Sequence, residues 1–564
     1  MSRPSRFLAV LAAVVLLATP GAALAGEVTV SRAYTAIGTL VVVHADDFRG
    51  QHASFWYSLK TKSGTFDLDV KGRGPAGAGG ATVRVTGQRT GHTIHVDPAA
   101  ANGGFSVLRA APAVFPRTTR IAAAPIAKKI AVILLNFSND GSEPFTPGTA
   151  QDIVFDNGNS VANFLTEEAR GRITVGGDVY GWYTIAATNE GCAWGTWQTQ
   201  AQAAVSAAGV DLATYTNVVY AWPRTGSCGW AGLGYMPGRF SYNNGAFSLR
   251  VVSHELSHNL GVAHASSLRC MDGPTPVALS SSCTFSEYGD PFSVMGGAAN
   301  YHNQTEQVGE MGWLAPGEVV TATPGGSYEL APLLGGDPAR PKLIRVARGD
   351  GTWLYIEIRA PAGVYFDDFA PGSPAVSGVT IRMTPDNAAP TGSPVNSRLI
   401  DANPATSTFA DAPLPVGGTM TDLVSHLTIT TVAIDGDGAV VAIGDGSPPP
   451  DTTPPTAPSS IAAPLIQSTK VTLTWGTATD NTGVASYRVT RNGTVVATLG
   501  TTTWTDTGVK AGTTYTYKVT AADAAGNRGP AAQLGVTTRP ARVKPTVRGM
   551  LLGRSGSWAV RRAI

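Results

Sequence analysis

The chain alternates between short runs of period-two hydrophobicity and a central stretch where buried-strand runs and helical patterns take turns. From Glu27 to about Pro98 the runs Thr39–Val43, Ala53–Leu59 and Thr82–Thr86 read as strands, with Gly-rich turns such as Gly72–Gly80 between them. A small β-barrel over residues 26–98 fits this texture. Residues 99–127 are rich in Ala and Pro without a sustained apolar period. They carry Arg117 and Arg120 ahead of Lys128 and Lys129, and read as a linker open to proteolysis.

The pattern then changes. Ile130–Leu135 is an unbroken apolar run of the kind a strand covered on both faces requires. Ser160–Arg170 is a helix candidate stopped by Gly171, Val218–Trp222 is a further strand, and a second helix begins near Ala246. A last helix is expected over His302–Gly312. Residues 128–316 therefore read as an α/β domain.

Short strands return over 317–445, among them Lys342–Val346, Trp353–Ile358 and Leu427–Ala433, and indicate an all-β domain. A Pro-rich linker at 446–456 reads as a stiff, extended spacer. Beyond it Val471–Trp475, Ala485–Thr490 and Thr514–Thr520 alternate as sandwich strands do. The tail 539–564 is basic and patternless.

Composition narrows the class. The chain has 564 residues, too many for one core, and its 41 basic and 39 acidic residues advertise no polyanion-binding surface, so nucleic acid is not an expected partner. With Gly at 66, Pro at 38 and only 14 % charged residues, turns and strands outweigh long helices.

Residues 1–25 have Arg3 and Arg6, the apolar run Phe7–Thr19 and the small-residue end Ala23–Ala25, the layout of a secretory signal peptide. No later stretch reaches the ~18 apolar residues of a membrane span, so a secreted, extracellular protein is expected. Export makes disulfides the natural reading of the four cysteines. Pairing of neighbours gives Cys192 with Cys228 and Cys270 with Cys283, one of three possible connectivities.

The chemistry lies in His254-Glu-Leu-Ser-His-Asn-Leu-Gly-Val-Ala-His264, which fits HExxHxxGxxH at every specified position. On a helix, His254 and His258 project from one face and reach one metal ion, while Glu255 stands beside them as a general base. Gly261 can end the helix in a left-handed conformation and turn His264 in as third ligand. Three histidines leave a coordination position open, the mark of a catalytic zinc site. The expectation is one Zn2+ ion and peptide-bond hydrolysis by metal-activated water.

This motif resembles that of the metzincin metallopeptidases. Their methionine turn has a counterpart in Tyr288–Gly296, with Met295 as the apolar floor. His258–Ala265, Tyr288–Gly296 and Glu310–Leu314 are most similar to the gametolysin-like peptidases, over roughly residues 128–316. The resemblance implies that peptide adds as a strand along a sheet edge near Gly229–Met236, and Tyr301 is a candidate oxyanion donor. Residues 26–127 hold no cysteine, which excludes a cysteine-based latency switch. The barrel is then either a removable prodomain or a permanent module.

Residues 457–538, with Trp475, Tyr487, Tyr517 and the turn Asp523–Asn527, resemble a fibronectin type III β-sandwich, which implies attachment to a cell surface or polymer. Calcium is not supported: Asp435–Gly438 lacks the further oxygen ligands a calcium loop needs and reads as a hairpin turn. The expected architecture is thus multidomain: small β-barrel, metzincin-like α/β catalytic domain, β-rich domain and fibronectin type III sandwich. The expected function is a secreted zinc endopeptidase acting on protein or peptide substrates. A secreted adhesion or binding protein with a degenerate metzincin domain is the alternative, against which the intact ligands, base, glycine and methionine speak.

Overall fold

The computed structural model describes residues 32–72, 74–75, 78–98, 104–110, 125–361, 365–385, 397–446, 451 and 453–542. The signal peptide expected at 1–25, most of the linkers and residues 543–564 lie outside the described residues. The chain forms two units, residues 1–446 and 447–564. No helix among the described residues is long and apolar enough to cross a membrane.

The first unit opens with a closed five-stranded barrel made of β1 (Arg32–Asp47), β2 (His52–Thr61), β3 (Gly64–Val70), β4 (Thr82–Thr90) and β5 (Thr93–Val96). Closure comes from β1, whose first half pairs with β4 and whose second half pairs with β2. Leu40, Val42, Leu59, Val83, Val85 and Ile94 fill the interior, as alternation along each strand requires. A sixth strand, β6 (Gly104–Arg109), pairs with β4 inside the stretch read as linker. The barrel unit therefore reaches past Pro98.

The next sheet is built on β7 (Ile126–Phe137), with β8 (Ile173–Ile185), β9 (Asn217–Trp222), β10 (Gly232–Tyr235) and β11 (Phe240–Asn244). In the order β8-β7-β9-β11-β10, the first four strands are parallel and β10 is antiparallel. The apolar run of β7 is explained by cover on both faces. Ile130, Val132 and Leu134 face one core, and Ala131, Ile133 and Leu135 the other. Because β7 begins at Ile126, the last two residues read as linker, Ile126 and Ala127, belong to a strand together with Lys128 and Lys129.

On the first face lie α1 (Pro147–Gln151), α2 (Val161–Glu168) and α4 (Leu249–Asn259). The Ser160 hydroxyl caps α2 by accepting from the Asn163 amide at 3.3 Å, and Gly171, with φ +69°, turns the chain after it. On the opposite face α3 (Trp194–Ala207) buries Trp197, Ala201 and Val205, spaced four apart. The sequence reading missed this helix, whose stripe is diluted by Ala, Gln and Thr. Disulfides join Cys192 to Cys228 and Cys270 to Cys283.

The boundary expected at 316/317 does not separate two bodies. Ala265–Asp272, directly after the motif, pairs in parallel with Ser397–Ile400, which continues through Gly378–Pro385 and Thr352–Glu357 to Leu343–Ala347. Buried charges from this sheet hold the methionine-turn segment. The Arg382 Nε donates to Asp290 Oδ2 at 2.7 Å, Glu357 accepts from the Thr305 amide at 2.7 Å, and Arg359 Nη2 donates to the carbonyls of Phe292 and His302 at 2.7 and 2.8 Å. The helix expected over 302–312 is only α5 (Thr305–Glu310): Gln304 is extended, with φ −66° and ψ 152°, and the amides of His302 and Asn303 before it donate to Asp367 and Glu168.

The second unit has a three-stranded and a four-stranded antiparallel sheet packed around Val471, Leu473, Trp475, Tyr487, Tyr517 and Val519.

Candidate metal centre

Helix α4 starts at Leu249, three residues after Ala246, because Ser248 takes the N-cap and its hydroxyl faces the Val251 amide at 3.5 Å. The helix lies close against β10 because glycines face it. A Cβ on Gly232 would lie 1.9 Å from Glu255 Oε1, and one on Gly234 would lie 3.0 Å from the Glu255 carbonyl and from His258 Cβ. Asn259 Nδ2 donates to the carbonyls of Tyr235 and Phe240 at 3.0 and 2.9 Å, which fixes the helix's register against β10 and β11. The helix ends where the Gly261 amide donates to the His258 carbonyl at 2.9 Å, with φ +97° at Gly261, and the turn brings His264 back.

His254, His258 and His264 are all fully buried, and each has its Nδ1 engaged. The partners are the Val294 carbonyl at 2.9 Å, the Val262 carbonyl at 2.7 Å and Glu287 Oε1 at 2.8 Å. An acceptor on Nδ1 places the proton there and leaves Nε2 with its lone pair. Nε2 of His254 and Nε2 of His264 are 3.2 Å apart. Two nitrogens bound at ~2.0–2.1 Å to one tetrahedral ion stand about 3.3 Å apart, so the donor set fits a zinc-sized ion.

Met295 is fully buried in the core that holds Val252 and Leu256 of α4, and its carbonyl accepts from the Ala265 amide at 3.0 Å. The turn thus braces the site twice, through the Val294 carbonyl on His254 and through the start of the strand after His264. Tyr301 stands elsewhere, its ring 4.2 Å from Phe369. The tyrosine at the histidines is Tyr288, whose ring lies 4.4 Å from that of His264. In the sequence Tyr288 carries no signal beyond its place as the first residue of the turn motif. His302 lies apart as well, with Nδ1 3.2 Å from Asp367 Oδ2.

Two further residues at the site come from the barrel, and nothing in the motif points to them. His44 Nδ1 is 2.7 Å from His258 Nε2. Asp46 reaches His264 Nε2 at 2.7 Å with Oδ1, and His258 Nε2 and His254 Nε2 at 3.3 and 3.7 Å with Oδ2. Tyr288 donates to Asp46 Oδ1 at 2.8 Å. His44 and Asp46 share one face of β1, so their spacing of two was the available signal, yet it matches any strand.

Electrostatics follow from this crowding. Burial lowers His254 to about 4 against the pull of Asp46. Burial also works on His264, but Asp46 and Glu287 outweigh it and raise the residue to about 9. Asp46 is held well below the carboxylate range: burial opposes ionisation, but His44 and the three motif histidines overcome it. Glu255 lies well above that range through burial and the facing Asp46, and neither of its carboxyl oxygens has a hydrogen-bond partner. A metal cation competes with the proton for the same Nε2 atoms, so carboxylates that raise proton affinity also favour the ion.

The Asp435–Gly438 turn is closed by Asp435 Oδ1 accepting from the amides of Asp437 and Gly438, both at 2.9 Å, as a hairpin turn is expected to be. Asp451, Asp480 and Asp523 of the second unit stand within 4.8 Å of one another, and neighbours such as Thr482 and Asn527 hydrogen-bond to them.

Comparison with known proteins adds three findings. The chain is 50% identical over 119 residues to chitinase D of Niallia circulans, covering 21% of each chain, and 35% identical over 192 residues to chitinase A1 of the same organism, covering 31% of this chain and 26% of that one. The chain thus spans about a quarter or less of these relatives. The solution structure of the fibronectin type-III domain of human fibronectin type III domain containing protein 3 is matched at 21% identity over 16% of this chain and 92% of that one, with a TM-score of 0.14. Residues 129–339, which contain every motif histidine, match the family Gametolysin peptidase M11, and this supports a gametolysin-like peptidase.

Proposed function

We propose that this protein is a secreted zinc-dependent endopeptidase of the metzincin class. The observation that carries the reading is the convergence of three imidazole Nε2 atoms, each with Nδ1 anchored, beside the buried, unpartnered carboxyl of Glu255. His254, His258 and His264 would hold a zinc ion, which would supply the Lewis acidity that activates water and polarises the scissile carbonyl.

The chain's own residues do the rest. Glu255, beside the histidines and with neither carboxyl oxygen hydrogen-bonded, accepts the water's proton and passes it to the leaving amine. An extended peptide adds along β10, where backbone amides and carbonyls bind it without regard to side chain. Tyr288, whose hydroxyl already donates to a carboxylate oxygen at the site, takes the oxyanion role expected of Tyr301.

The second unit fits a fibronectin type III module that tethers or spaces the enzyme at a polymer, in keeping with the likeness to chitinases. The test is zinc content by atomic absorption together with casein hydrolysis, with and without o-phenanthroline, after limited trypsin treatment. One zinc per chain and chelator-sensitive hydrolysis are expected. Zinc bound without hydrolysis would favour a binding protein.

A further inference from the structure

We infer that the barrel is a built-in inhibitor of the metal centre: Asp46 takes the fourth coordination position, and the strand that carries it fills the peptide edge, until the chain is cut between Arg109 and Ile126. The inference rests on the peptidase reading above and concerns how that site is closed.

The carboxylate comes first. Asp46 is fully buried and, among the described residues, its Oδ2 has no hydrogen-bond partner and its one hydroxyl donor is Tyr288 on Oδ1. Burying a carboxylate is costly unless a cation or hydrogen-bond donors compensate it. No Lys or Arg is paired with it among the described residues. Instead it faces three Nε2 atoms whose shared direction a metal would fill. His44, on the same face of β1, closes another side with Nδ1 at 2.7 Å from His258 Nε2. Phe48 and Phe55, just beyond, cover the rings of His254 and His44 at 4.9 and 4.2 Å.

The backbone is the second block. β1 runs antiparallel along the outer edge of β10, with Val43, His44, Ala45 and Asp46 opposite Tyr235, Gly234, Leu233 and Gly232. The Met236 amide donates to the Val42 carbonyl at 3.0 Å and the Ala231 amide to the Asp46 carbonyl at 2.8 Å. These are the groups an added peptide strand would use. Val43 and Ala45 meanwhile pack into the core of the α/β sheet. Substrate and β1 therefore exclude one another at both the edge and the metal.

Covalent linkage decides how firmly the block holds. The barrel connects to β7 only through residues 110–125, which include Arg117 and Arg120. While the link is whole, β1 rebinds at an intramolecular effective concentration; once it is cut, rebinding falls with dilution.

The test uses the full chain and its D46N variant, each loaded with Co2+ for a visible spectrum and with Zn2+ for hydrolysis of a quenched peptide. The uncut wild type should be nearly inactive. D46N should be roughly tenfold or more faster without any cut and should show an altered cobalt spectrum. Wild type nicked by trypsin at Arg117 or Arg120 should gain activity, and its specific activity should rise on dilution, a measurement that stands even if D46N fails to fold.

An unchanged spectrum in D46N, with uncut wild type as fast as nicked, would overturn the inhibitor and leave the peptidase intact. A changed spectrum with no hydrolysis by any form would uphold Asp46 as a ligand and remove the peptidase reading.

Discussion

Asp46 Oδ1 stands 2.7 Å from His264 Nε2, joining a strand of the amino-terminal barrel to the last histidine of the motif. The contact brings a group of the barrel to the candidate metal centre. Activity predictions are therefore framed for the chain cut between Arg109 and Ile126.

Glu255→Gln keeps the shape of the side chain and removes its basicity. The variant should retain zinc, measured by atomic absorption, while peptide hydrolysis falls by about 10²–10⁴-fold. Retained turnover would exclude Glu255 as the proton acceptor.

Gly261→Ala places a Cβ at φ +97°. The strain costs about 1–2 kcal/mol and is relieved by moving the turn that aims His264. Zinc affinity by competition with a chromophoric chelator should drop and the melting temperature should fall. An unchanged affinity would show that His264 is positioned by Glu287 alone.

Gly232→Ala puts a methyl group 1.9 Å from Glu255 Oε1. Either α4 moves off β10 or Glu255 swings away, and overpacking of this kind costs about 1–3 kcal/mol. kcat should fall more than zinc occupancy does, because Glu255 is displaced while His254 and His258 keep their Nδ1 partners.

Glu168, buried beside Asn303, is raised to about 7 from 4.5, chiefly by burial. A carboxyl with a raised folded pKa contributes stability that is present below 4.5 and lost as pH rises through about 7. The full window corresponds to about 3 kcal/mol. Glu168→Gln removes this dependence, so the wild type's melting temperature relative to the variant should climb as pH falls from 7.5 to 5. A constant difference would show that Glu168 is already ionised at pH 5.

The core of the α/β region was legible where a single strand or helix carries its own signal. Ile130–Leu135 reads as a doubly covered strand, and Ser160 and Gly171 mark the ends of α2. Helix α3 escaped because alanine is both a good helix former and a weak marker of burial. The following β region reads as a separate domain because its strands are short. Its pairing with Ala265–Leu268 is a long-range match between backbones, which leaves no trace in local pattern.

What the sequence by itself determined is the candidate metal-binding segment. The helical period puts His254, Glu255 and His258 together, and one glycine able to adopt positive φ returns His264, so spacing alone encodes the geometry. Only the tertiary structure decided that His44 and Asp46 join them, that Tyr288 and not Tyr301 stands at the site, and that β1 lies on the edge of β10. The reason is that strand addition is made by backbone hydrogen bonds common to all residues, and an alternating face that ends in histidine and aspartate looks like any other until it is folded against its neighbour.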